Sequence, residues 1–142
     1  MYTFVQKFHS GWAYLALLLL VIVVFDSFSG WFSKREFTKK DKLIALLGLI
    51  ATHIQLVVGF IVYFISPKGL ESFGQMEDAD LRLTSLEHPL LNVLAIVLIT
   101  IGWSRHKKAI ASDLKFKSIF VFYLLGLILI VARIPWNTWL TN

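Results

Sequence analysis

A chain of 142 residues in which 57% are hydrophobic and only 16% charged, with a mean hydropathy of +0.71, has too little polar surface to clothe a soluble domain and reads as a membrane protein. The absence of cysteine excludes disulfides, thiolate catalysis and cysteine-held zinc or iron–sulfur centres. The net charge of +5 does not indicate nucleic acid, because the basic residues form two short clusters beside apolar runs, the pattern that membrane proteins use.

Four apolar segments are each near the roughly 20 residues needed to cross a bilayer. The first, residues 9–28, contains an unbroken apolar stretch at 15–25. Only Lys7 precedes it and no small-residue cleavage site follows, so it is expected to persist in the mature protein rather than be removed as a signal peptide. The second span, 43–66, carries Thr52-His53-Ile54-Gln55 at its centre. The purely apolar part of the third, 90–103, is short, so a crossing must occupy about 84–103 and take Glu87, His88 and Pro89 with it. The fourth, 118–135, stops at Pro135. These runs are continuous, which excludes the short alternating segments of a transmembrane barrel, and helices satisfy their backbone polar groups internally, as lipid requires.

With no linker, low-complexity stretch or internal repeat, residues 1–142 form one domain: an all-α integral membrane up-down-up-down four-helix bundle in which the first helix lies diagonally across from the third. The loop after the first span, with the start of the second, holds Lys34, Arg35, Lys39, Lys40 and Lys42, and the loop after the third holds Arg105, Lys107, Lys108, Lys115 and Lys117. Glu71, Glu77, Asp78 and Asp80 lie in the loop between the second and third spans. The positive-inside tendency puts the basic loops in the cytoplasm and both termini outside, in a bacterial inner membrane. Trp12, Tyr14, Tyr63, Trp136 and Trp139 are expected at the outer interface, and Trp31 and Trp103 at the inner one.

Histidines are the only candidate metal or redox ligands. His9 opens the first span and His88 lies about one turn into the third; both spans start at the outer face, so the two imidazoles are expected at one depth on diagonal helices. With neighbouring axes about 8–10 Å apart, that diagonal accommodates two imidazoles on one haem iron. Gly11, Ala13, Ala16 and Ala95 are expected to leave room for the ring, and Arg133, Lys7 and Arg82 lie where haem propionates would end. Glu87 is expected to point away from His88 and to pair with Arg133. The plainer alternatives are a solvated interfacial His9 and a helix start at Glu87-His88-Pro89 with proline in the first turn.

His53 lies about 10 Å deeper than His88, too far to share its iron. Its alternatives are a hydrogen bond to a quinone or buried propionate, ligation of a metal with another partner, or a structural hydrogen bond to a carbonyl or to Asn92. His106 reads as a solvated loop residue, and Asp26 as the partner of a basic residue from the first or third loop, or as a proton-accessible carboxylate.

His9-Ser10-Gly11, Thr52-His53-Ile54-Gln55-Leu56 and Glu87-His88-Pro89 resemble small four-span bacterial membrane proteins of cytochrome-b-like type, and in plan the chain is similar to one half of a haem A synthase. The resemblance implies binding of haem b through His9, His53 or His88. In the synthase the glutamate and histidine are separated within a helix, whereas Glu87 and His88 are adjacent here, so synthase catalysis is not implied. No phosphate-binding glycine loop, HExxH helix or Ser-His-Asp set is present, and no residue is assigned as catalytic. The expected function is electron transfer within the membrane by a b-type haem protein, with His9 and His88 as axial ligands, Arg133 at a propionate and quinone as candidate partner. The alternative is a haem-free accessory or assembly subunit of a larger inner-membrane complex.

Overall fold

The computed structural model describes residues 1–141. Four long helices, α1 (Tyr2–Phe32), α2 (Lys39–Ile65), α3 (Ala79–Lys108) and α4 (Ser112–Ala132), are each long and apolar enough to cross a membrane. A short helix, α5 (Trp136–Trp139), ends the described chain. Consecutive long helices pack side by side and α4 closes the ring against α1, so α1 faces α3 across one diagonal and α2 faces α4 across the other. The chain is therefore an up-down-up-down membrane bundle, whose exposed apolar side chains, such as Leu18, Phe25, Val57 and Ile128, suit contact with lipid.

The helices overrun the apolar spans because polar residues cap them beyond the hydrocarbon. At the end of α1 the Arg35 N–H donates to the Gly30 carbonyl (3.1 Å) and the Lys34 N–H to that of Trp31 (3.3 Å). This is a Schellman closure, and Lys34 sits at its left-handed position with φ of 55°. Asp41 then accepts from both the N–H and the hydroxyl of Thr38, each at 2.8 Å, at the start of α2. Arg35 donates to the same carboxylate at 2.8 Å and to Asp26 at 3.3 Å, which identifies the first loop as the source of the Asp26 partner. The Asp41 bond raises the already high pKa of the Arg35 guanidinium, so this clasp stays charged.

Helix α3 begins at Ala79 because Asp78 accepts from the N–H groups of Asp80 and Leu81 at 2.9 and 3.0 Å. Pro89 consequently falls inside a continuous helical run rather than in a first turn. Proline supplies no N–H to the Ser85 carbonyl, and its ring needs space there. The backbone responds with a wide π turn over Leu83–Glu87, closed by the His88 N–H on the Leu83 carbonyl. At the same end of the bundle, Ile134 and Pro135 turn the chain out of α4 into α5.

The half of the bundle nearer the basic loops is solid. Leu20, Val23, Ala45, Ile99, Ile119 and Tyr123 are at most 1% exposed. The Tyr123 hydroxyl donates to the Ala45 carbonyl (2.9 Å), linking α4 to α2 across the diagonal. His106 also belongs to this packed end. It is 1% exposed, not solvated, because α3 continues to Lys108 and Phe37 folds over it with ring centroids 5.4 Å apart. Its Nδ1–H donates to the Trp103 carbonyl.

Candidate functional site

The half of the bundle nearer the termini encloses a cavity of about 430 Å³ lined by all four long helices, within the roughly 300–1,000 Å³ typical of ligand and cofactor sites. Its deep wall includes Leu20 and Ile96. At the mouth, Trp139 of α5 donates from Nε1 to the Ser10 carbonyl (3.1 Å) and stacks on Tyr14 with centroids 4.4 Å apart. Tyr2 and Ser66, whose hydroxyls are 3.2 Å apart, join the start of α1 to the end of α2 on the same rim.

His9 from α1 and His88 from α3 both line this cavity, and their ring centroids are 6.4 Å apart with planes at 87°. Two imidazoles sharing one metal, each with a metal–nitrogen bond of about 2 Å, have centroids roughly 6 Å apart. An edge-to-face pair of rings spans the same range, so the separation gains its meaning from the nitrogens. The His88 Nδ1–H donates to the Arg133 carbonyl (2.8 Å). That bond fixes the tautomer and leaves Nε2 as a lone-pair donor. Nε2 of neither ring has a hydrogen bond among the described residues.

His9 Nδ1 and Gln55 Oε1 are buried without any hydrogen-bond partner. The Gln55 side chain belongs to the same corner, since its Nε2 donates to the His9 carbonyl at 3.0 Å. Orphaned polar atoms cost about 1–3 kcal/mol each, and a bound group or ordered water that satisfies them relieves that cost. Asn92, one turn below His88, donates to the His88 carbonyl at 2.6 Å and stiffens that wall.

Gly59 makes room for His9, because a Cβ on this glycine would lie 3.1 Å from His9 Cε1. Of the expected small residues, Ala13 and Ala16 line the cavity. Gly11 faces open space instead, and Ala95 is fully buried on the α3–α4 seam, where its carbonyl lies 3.1 Å from the position of a Cβ on Gly126.

The other expected site residues lie elsewhere. Both ring nitrogens of His53 are engaged: Nδ1–H donates to the Leu49 carbonyl (2.7 Å) and Nε2 is 3.3 Å from the Thr100 hydroxyl on α3. His53 does not line the cavity. The Arg133 guanidinium pairs with Glu87 at 3.2 Å, so this residue meets the site through its backbone carbonyl rather than its charge. Arg82 closes on the other oxygen of Glu87 at 3.1 Å. Neither Arg82 nor Lys7 lines the cavity, and the cation that does is Lys68.

Lys68 and Gly59 stand out only once helix rotation and loop path are known. Gln55 alone had a sequence signal, a polar amide near the middle of an apolar span. Comparisons with protein-family models, with curated proteins and with solved structures give no match to this chain.

Proposed function

We propose that this protein binds one b-type haem in the cavity at the termini-bearing end of the bundle, with His9 and His88 as the residues that would hold its iron, and that it transfers electrons within the membrane. The observation that carries the reading is the 6.4 Å separation of two imidazoles that line one cavity, each with an unbonded Nε2. Bound there, haem iron supplies reversible one-electron transfer between its ferric and ferrous forms.

The chain's own residues supply the rest. The Arg133 carbonyl holds the proton on His88 Nδ1, keeps Nε2 free to ligate and fixes the ring plane. Gly59 lets the His9 ring sit against α2. Leu20 and Ile96 keep water from the deep side, while Lys68 at the rim is the cation available to a propionate. His53, saturated by Leu49 and Thr100, serves in this reading as a packing bond between α2 and α3. The basic loops face the cytoplasm of a bacterial cell by the positive-inside tendency, which puts the site near the outer face of the inner membrane. The electron partner is a carrier in the same membrane, a quinone or another redox subunit.

Titration of detergent-purified protein with haem tests the reading. One equivalent per chain is expected to bind and, on reduction, to give a sharp six-coordinate low-spin spectrum. A fully helical protein that stays colourless in excess haem contradicts it and returns the chain to the class of haem-free accessory subunits. Lipid contact already accounts for the apolar exterior, which does not call for a protein partner.

A further inference from the structure

At the opposite end of the molecule a second recess, about 290 Å³, lies where three helix ends converge. Lys39 and Lys42 come from the first turn of α2, Lys107 from the last turn of α3 and Lys115 from the first turn of α4. None of the residues that line the recess is acidic. Asp41, which shares the first turn of α2, is held by Arg35 and Thr38 and does not neutralise these lysines.

His106 is the buried member of the lining. Its side chain is shut in by Phe37 and Trp103, and its one ring hydrogen bond among the described residues runs from Nδ1 to the Trp103 carbonyl. Lys115 is pinned over it, donating to the His106 carbonyl at 2.9 Å, so one ammonium is held in place rather than free in solvent. Four cations converge on one concavity without a counter-charge, at the level where α2 enters and α3 leaves the membrane. Like charges in that arrangement repel one another unless an anion sits between them.

We propose that this recess is a phosphate-binding site at the membrane surface, and that the anion it takes is a phosphate group, supplied by an acidic phospholipid or by free phosphate. Basic pockets between transmembrane helices recognise such headgroups by charge and by hydrogen bonds from ammonium and backbone N–H groups. The site is separate from the histidine cavity and independent of the haem reading.

The test compares full-length wild type with two triple variants of equal charge. Lys42→Gln/Lys107→Gln/Lys115→Gln removes recess lysines, and Lys40→Gln/Lys108→Gln/Lys117→Gln removes three lysines of the same loops that do not line it. A double variant, Lys42→Gln/Lys107→Gln, leaves the Lys115 bond intact in case the first triple misfolds. Each is reconstituted in nanodiscs of phosphatidylcholine with phosphatidylglycerol, and retained lipid is counted by native mass spectrometry after detergent exchange. Binding of inorganic phosphate to lipid-free protein is read by phosphorus NMR.

The recess variants are expected to weaken binding by about tenfold or more, with the control triple within about twofold of wild type. Retention of phosphatidylglycerol alone identifies a lipid headgroup as the source, and phosphate binding with the same lysine dependence identifies the free anion. Equal loss in both triples, or no retained anion of either kind in wild type, overturns the proposal.

Discussion

A buried imidazole with an unpartnered nitrogen gives up about 1–3 kcal/mol relative to the same group in water, and His9 carries that cost beside a second orphan, Gln55 Oε1. His53 and His106 avoid it by donating to carbonyls of their own helix. The contrast singles out His9, because His88, the other cavity histidine, also donates to a carbonyl, that of Arg133. Their depth was readable in the sequence, because His9 and His88 each follow the start of a span that enters from the same side. Their surroundings were not. Whether Gly59 or Leu56 meets His9 depends on the rotation of α2, which a nearly all-apolar segment leaves undetermined. Arg133 drew attention for its charge, yet its carbonyl reaches His88 while the charge turns to Glu87. Gly59→Leu is therefore expected to keep the bundle folded and to weaken haem binding at least about tenfold, a loss of about 1.4 kcal/mol. Haem titration with circular dichroism on the same samples checks it, and unchanged affinity would show that the Gly59 contact does not shape the site.

At the scale of elements, the helices were legible from hydropathy and their ends were not. Capping by Asp78 starts α3 ahead of the apolar run, and the Schellman closure carries α1 through Phe32. His106 is buried rather than solvated for the same reason, since α3 outlasts its apolar stretch and the Phe37 loop folds back across it. Lys34 occupies a left-handed position that costs a side chain about 1–2 kcal/mol and glycine nothing. Lys34→Gly is expected to raise stability by about 1 kcal/mol, read as a higher thermal midpoint in detergent; a lower midpoint would mean that its charge outweighs its backbone strain. The α3–α4 seam is sensitive in the opposite sense. A Cβ on Gly126 would lie 2.7 Å from Ile99 and 3.1 Å from the Ala95 carbonyl. Gly126→Val is expected to destabilise the bundle by about 1–3 kcal/mol, measured in the same melt, and a neutral result would show that these helices part easily.

Across the whole molecule the two halves of the bundle have different physical characters. One is filled by Leu20, Val23, Ile99 and Tyr123 and locked across its diagonal by the Tyr123 hydroxyl. The other keeps a cavity between α1 and α3, roofed by Trp139. The up-down-up-down order was readable from four spans joined by short loops, and it places α1 diagonal to α3. The cavity itself was not readable, since an apolar sequence that fills one half of a bundle looks the same as one that leaves a gap in the other. The packed half holds the helix axes together while the other half leaves space between its walls.

The sharpest test is low-temperature electron paramagnetic resonance of the oxidised, haem-loaded protein beside its His9→Ala and His88→Ala variants. A low-spin ferric signal with two imidazole ligands is expected in wild type, and each substitution alone is expected to abolish it while helicity persists. A high-spin signal in wild type, or a low-spin signal that survives either substitution, would contradict shared ligation by these two histidines.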